Sequence, residues 1–377
     1  MNSALLTERA FAEMIADNGG RVFRVGGCVR DKFMGVTPKD IDYCIVGMVK
    51  RNFKIIFPDA EEYGKSFPVF RLEIDGAKCE LAFARTERKV GSGYKGFKIS
   101  SKPKVTIEED LFRRDTTVNS IAMDCLTGEI IDPFNGVKDI NDKVLKATSL
   151  HFPDDPMRAL RLAGQSARLG FRIDGDTLIL ASTVADELKN EPAERMLIEL
   201  TKVLAEAQQP AVFFKALAQA DLLKITFREI SQLSKGDFET AMVRLDAVAK
   251  LTQKSKLRFA TFGLVLNKEA IAQWNNIMTL PGDWFDSAVA IGKITAILQS
   301  PSPEKIVTAI SSLRRGALSC EEFDIIATGA GLHIPALSPF KAIIALSQGN
   351  SVPETVKGKD IGEWLRIKHI EMISKLL

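Results

Sequence analysis

A strand-like run at Val22, Phe23 and Val25 empties into Gly26-Gly27, and a helix-like segment, Cys28-Val29-Arg30-Asp31, follows at once. Adjacent glycines permit a tight turn and let backbone N–H groups approach an anion closely. The start of the next helix adds a dipole that favours phosphate. A second strand-like run, Asp40–Val46, opens with Asp40-Ile41-Asp42. Two residues apart on a strand, both carboxylates leave the same face. Hard carboxylates beside a phosphate cradle suit a pair of Mg²⁺ ions on a triphosphate. Alone, the glycines read as a plain turn and the aspartates equally as surface residues or as metal ligands. Their coupling points to metal-assisted phosphate chemistry.

A chain of 377 residues exceeds one compact core, so two to four domains are expected. The net charge of +3 gives no case for nucleic-acid binding from the total, which leaves only local basic patches. Five scattered cysteines without a CxxC pair suit a reducing cytoplasm. Glu8 and Arg9 precede any long apolar run, which excludes a signal peptide, and no window reaches the roughly 18 apolar residues of a membrane helix. His151, His333 and His369 lie far apart, which argues against a multi-histidine metal site.

Along the chain, Leu6, Ala10, Phe11, Met14 and Ile15 form one stripe of a helix over 4–18, which Gly19-Gly20 ends. Apolar runs at 67–74 and 77–84 flank Asp75-Gly76, a strong hairpin signal. These elements predict a mixed α/β sheet domain of about 130 residues. Arg85–Lys104, rich in Arg, Lys, Gly and Ser, reads as a mobile loop too polar to pack. From about residue 154 helical periodicity dominates, with prolines marking the breaks.

The glycine turn and Asp40-Ile41-Asp42 resemble the signature of the class II tRNA nucleotidyltransferases, the CCA-adding enzymes, which are related to bacterial poly(A) polymerases. Further blocks match in order. Arg113-Arg114-Asp115-Thr116-Thr117-Val118-Asn119 is similar to the family's ribose- and phosphate-binding block. Ile131–Asp139 is similar to its head-to-neck connector, Asp154–Arg161 to its base-reading helix, and Glu194–Leu200 to the block that buttresses that helix. The resemblance implies a polymerase-β-like α/β head over 1–140, then an all-α neck over 141–205, body over 206–300 and tail over 301–377. It implies Mg²⁺ on Asp40 and Asp42. It also implies nucleotide contacts from Gly26, Gly27, Arg30, Arg114, Asp115, Asn119, Asp155, Arg158 and Arg161, and a 85–104 loop that switches selection from C to A. Two departures stand out: Thr116 replaces a usual bulky apolar residue, and Gly164-Gln165 stands where a further arginine usually continues the ladder from Arg161. The few histidines cannot supply the C-terminal HD phosphohydrolase site of some relatives.

Residue chemistry agrees with that resemblance. Asp155 and Arg158, three apart, are expected on one helix face, with Arg161 one step along. A carboxylate only accepts and a guanidinium only donates. Cytosine and adenine both present an amino donor beside a ring-nitrogen acceptor. Uracil and guanine reverse that order and would leave buried groups unpaired. Glu80 is either a third acid of the catalytic site or an edge-strand charge. Lys254, Lys256 and Arg258, then Arg314-Arg315, then Lys357, Lys359, Arg366 and Lys368 are candidate tRNA phosphate contacts. Trp274, Trp284 and Trp364 read as core. The expected activity is template-independent CCA addition to tRNA from CTP and ATP in the cytoplasm. The alternatives are an A-adding enzyme or poly(A) polymerase, and a non-catalytic RNA-binding relative.

Overall fold

The computed structural model describes residues 5–64, 67–91, 96–314, 316–346, 352–353 and 355–376. The chain forms two compact units: Met1–Ser166 with Gly170–Glu191, and Ala167–Leu169 with Pro192–Leu377.

In the first unit, α1 (Glu8–Ala16) is capped by the Thr7 hydroxyl. Its Glu8 carboxylate accepts from Arg24 Nη2 at 2.8 Å and from the Tyr43 hydroxyl at 2.8 Å, which pins the helix to the sheet. The sheet comprises β1 (Arg21–Val25), β2 (Asp42–Val46), β3 (Glu61–Tyr63), β4 (Val69–Ile74), β5 (Ala77–Phe83), β8 (Ala122–Asp124) and β9 (Ile130–Ile131). Its order is β3-β4-β5-β2-β1-β8-β9, and only β2 and β5 run parallel. The expected hairpin forms: Asp75 and Gly76 take φ of +52° and +76°, as a two-residue turn with the twist of its strands demands.

Alternation along β2 and β5 places the acids. Tyr43, Ile45, Leu81 and Phe83 bury into one core with Phe11, Phe53 and Phe70. Cys44 faces a second core, with Val25, Ile107, Leu111 and Ala122. Asp42 shares the face of Cys44, and Glu80 lies opposite Asp42 in the strand register.

Two expectations are corrected. β2 begins at Asp42 and not Asp40, because Arg24 pairs with Tyr43 and the chain of β1 then turns away at the glycines. Asp40 lies in the bend just before the strand. The polar 85–104 stretch is not a featureless loop: β6 (Thr86–Lys89) pairs antiparallel with β7 (Phe97–Ser100). Residues 92–95 lie outside the described set. Ile99 packs this hairpin against the sheet core, and salt bridges brace it. Glu87 Oε1 takes Arg85 Nε at 2.8 Å and Arg113 Nη1 at 3.1 Å, and Lys89 Nζ reaches Glu187 at 2.6 Å.

Beyond the sheet, α4 (Ile107–Phe112) carries a capping box of Thr106 and Glu109. The helix that follows the acidic block runs over Met157–Leu169. A short parallel pair, Val144–Leu145 with Arg172–Ile173, interrupts the helical run.

The second unit contains helices and turns among its described residues. Phe213, Phe214, Phe227, Phe259, Phe262, Trp274 and Trp284 form a chain of ring contacts 5.0–5.9 Å apart. Trp274 and Trp284 are core residues, as expected, while Trp364 is half-buried. Among the described residues no helix is long and apolar enough to cross a membrane.

Candidate active site

Gly26 takes φ +74° and ψ −131°, outside the range of L side chains. A Cβ there would lie 2.9 Å from Arg114 Nη1, and one on Gly27 would lie 3.5 Å from Arg30 Nη2. The turn therefore lays two guanidinium groups along bare backbone.

Arg114 is the key side chain. Its Nη2 donates to Asp110 Oδ2 at 3.0 Å, while its Nε is buried and has no hydrogen-bond partner. Such an orphaned donor costs about 1–3 kcal/mol, and an anion entering the site would satisfy it. Burial works against the charge of Arg114, but the Asp110 carboxylate outweighs it and raises the pKa.

Asp110 was not foreseen as a site residue. It is 1% exposed and binds both arginines, with Arg113 Nη2 at 2.6 Å, and it caps the Arg85 amide at 3.2 Å. Burial opposes its charge, yet Arg113 and Arg114 hold its carboxyl below the usual range. The available signal was its spacing, three and four residues ahead of the two arginines on a capped helix.

A cavity of about 210 Å³ opens beside these groups, lined among others by Val25, Asp42, Glu80, Arg85, Asp110 and Arg114. Burial pushes the Asp42 carboxyl up, Glu80 and Asp40 push the same way, and Arg114 pulls down. Asp42 nonetheless keeps an exposed edge, so the like-charge repulsion is the part that a bound cation would reverse. Glu80 also accepts from Arg71 Nη2 at 3.4 Å.

Among the described residues no three His, Cys, Asp or Glu side chains gather into a metal cage. Mg²⁺ does not require one, because it keeps waters and takes one or two carboxylates with substrate phosphates. Asp40 and Asp42 fit that donor set.

The rest of the arginine block forms a second network. Arg30 Nη1 donates to Asn119 Oδ1 at 2.7 Å, and Asn119 Nδ2 donates to Asp115 Oδ1 at 3.3 Å. Arg161 Nη2 donates to Asp155 Oδ2 at 2.6 Å, and its Nε lies 3.6 Å from Asp115 Oδ2. The helix begins only at Met157, so Asp155 precedes it in extended backbone and does not share a helix face with Arg158. The cause is Pro156, which disfavours helical backbone at the residue before it. Arg158 is 5% exposed and its guanidinium donates to the carbonyls of His151 at 2.6 Å and Arg113 at 2.5 Å.

In the basic clusters of the second unit, one residue departs from expectation. Arg258 is 2% exposed and donates to the carbonyls of Thr252, Leu204, Ala207 and Ala249 at 2.7–3.1 Å. It ties chain segments together and is closed to RNA phosphate. Lys254 and Lys256 pair with Glu322, Arg366 with Glu363 and Lys368 with Glu371. Arg315 lies outside the described residues.

Known proteins resemble this chain in sequence and in fold. Residues 22–146 fit a model described as the poly A polymerase head domain, and residues 170–233 one described as a probable RNA and SrmB-binding site of polymerase A. The chain is 38% identical over 281 residues to the CCA-adding enzyme of Coxiella burnetii, covering 72% of this chain and 70% of that one. It is 32% identical over 377 residues to the CCA-adding enzyme of Pseudomonas putida, covering 94% and 97%. A CCA-adding enzyme solved with ATP shares the fold with a TM-score of 0.72 at 21% identity, over 97% of this chain and 88% of that one. The Thermotoga maritima CCA-adding enzyme solved with tRNA gives 0.69 at 21% identity, over 98% and 95%. The glycine turn, the carboxylate pair and the arginine block thus sit in a recognised framework, and this chain belongs to the CCA-adding enzyme family of nucleotidyltransferases.

Proposed function

We propose that this chain builds and repairs the 3′-terminal CCA of tRNA from CTP and ATP without a template, releasing pyrophosphate. The observation that carries this reading is Arg114, whose Nη1 lies against the bare backbone of Gly26 beside the Asp42 cavity and whose Nε has no hydrogen-bond partner. A relative matching nearly its whole length is named for the same activity, and proteins of the same fold have been solved with ATP, CTP and tRNA.

In this reading Gly26, Gly27, Arg30 and Arg114 hold the triphosphate for in-line attack by the tRNA 3′-hydroxyl. Asp115 and Asn119 serve the ribose. Mg²⁺ on Asp40 and Asp42 would acidify that hydroxyl and neutralise the phosphates. Glu80 raises the local negative charge that the cation offsets. Asp155 accepts from the amino group of C or A. Arg158 donates to the ring nitrogen through N–H groups not spent on carbonyls, since the guanidinium has five and its main-chain contacts use three. Those contacts fix the plane of the guanidinium, which gives the base a rigid template of protein. We assign the chain to the cytoplasm, with a head over 1–140, neck over 141–205, body over 206–300 and tail over 301–377.

The test is incubation of tRNA ending at the discriminator base with CTP, ATP or both. Addition of CC with CTP alone and of CCA with both is expected. Addition of A alone, or of long A tails, would overturn the reading.

A further inference from the structure

Thr116, in the arginine block, and Gln165, in the helix over Met157–Leu169, meet in the folded protein. Thr116 Oγ1 donates to Gln165 Oε1 at 2.8 Å, and Gln165 Nε2 donates to Asp115 Oδ2 at 2.8 Å. Both Thr116 and Gln165 are buried, at 0% and 4% exposure. The other Asp115 oxygen, Oδ1, accepts from the Thr116 amide at 2.8 Å and from Asn119 Nδ2. An amide is the side chain that can face a hydroxyl with its oxygen and a carboxylate with its nitrogen at once.

Gln165 follows Arg161 by four residues on the same helix, so the two stand on one face, and both address Asp115 Oδ2. Arg161 in turn reaches Asp155. The amide therefore fixes the carboxylate against which Arg161 is set, and Arg161 fixes Asp155.

We propose that Gln165 is a positioning residue for nucleotide selection. Through Asp115 and Arg161 it holds Asp155 in place for the amino group of cytosine or adenine. The proposal rests on the assignment of Asp155 to the base made above. The Asp115 carboxylate sets the amide's orientation, because turning the amide over would place its oxygen against an acceptor, whereas the Thr116 hydroxyl can face either end. Gly164 beside it has no side chain with which to grip a phosphate, so the turn of helix after Arg161 serves alignment.

The test uses the full chain with CTP, ATP and UTP as probes, read by equilibrium titration. Gln165→Leu removes both hydrogen bonds at near-constant volume. We expect a rise of roughly tenfold in the Kd for CTP and ATP, the size of one lost hydrogen bond to a charged group. The preference for CTP over UTP should narrow with it. The double variant Thr116→Val/Gln165→Leu leaves no hydroxyl stranded in the core, so it should regain thermal stability while the weakened Kd persists. Wild-type Kd in Gln165→Leu would overturn the proposal. So would recovery of Kd together with stability in the double variant, which would make the amide a packing element only. If Gln165→Leu does not fold, the double variant carries the same comparison. Binding is read without tRNA, so failure of CCA addition would sink the functional reading and leave this result interpretable.

Discussion

Two arginines, one in each unit, behave in opposite ways. Arg114 donates to a single carboxylate and keeps a buried Nε with nothing to bind, beside a glycine that has no side chain to cover it. Arg258 spends its guanidinium on four main-chain carbonyls. Burial penalises the charge of both. For Arg114 the Asp110 carboxylate reverses the outcome, whereas for Arg258 burial prevails over the more distant Asp246 and lowers the pKa. The lesson concerns where the donors end. Arg258, closed in by four main-chain bonds, is a strut, whereas Arg114, with a donor left over beside the cavity, is the proposed receptor.

The largest expected effect lies at the proposed metal pair of the first unit, Asp40 and Asp42. Asp42→Ala should cut nucleotide incorporation on the order of a thousandfold or more while leaving the unfolding midpoint within a few degrees. Undiminished incorporation would remove Asp42 from the chemistry.

Next comes the strut. Arg258→Met should lower the unfolding free energy by about 3 kcal/mol, since it strands several buried carbonyls, with no change in KM for CTP. A tRNA-binding defect at full stability would instead make Arg258 an RNA contact and break the contrast.

Gly26→Ala probes the receptor. Its Cβ would press on Arg114 Nη1 at a φ that alanine avoids. A stability loss of about 1 kcal/mol and a roughly tenfold rise in KM for both nucleotides are expected. An unchanged KM would show that the guanidinium moves aside freely.

The smallest effect is a shift in pH profile. Because the Asp42 pKa is raised on folding, this carboxyl favours the folded state while protonated, and the benefit is lost as pH rises through the folded-state pKa. Metal-free protein should therefore gain stability through this group on acidification. Glu80→Gln removes one of the like charges, so the acid limb of the rate profile should move to lower pH. An unmoved limb would mean that Glu80 does not reach Asp42.

Local signals were legible where one short stretch suffices to dictate conformation. Asp75-Gly76 gave its hairpin, and Gly26-Gly27 its turn, because both need backbone angles that few residues accept. The β6–β7 hairpin was hidden because β6, Thr86-Glu87-Arg88-Lys89, has no apolar residue and is held by ion pairs of Glu87 and Lys89, which left the short alternation of Phe97 and Ile99 in β7 without a visible partner. Asp110 looked like an ordinary first-turn acid, and its burial depends on packing around the Arg85 backbone. Arg258 looked like one more charge in a basic run, as its partners lie as far as 54 residues away.

By itself the sequence determined the kind of chemistry: the turn, the paired carboxylates and the arginine block are short, and their spacing is enforced by covalent geometry. The tertiary structure decided which charges remain available. That depends on where each guanidinium finds its acceptors: Arg114 has its carboxylate four residues upstream, but Arg158 and Arg258 reach main-chain carbonyls as far as 45 and 54 residues away, which only packing brings to them.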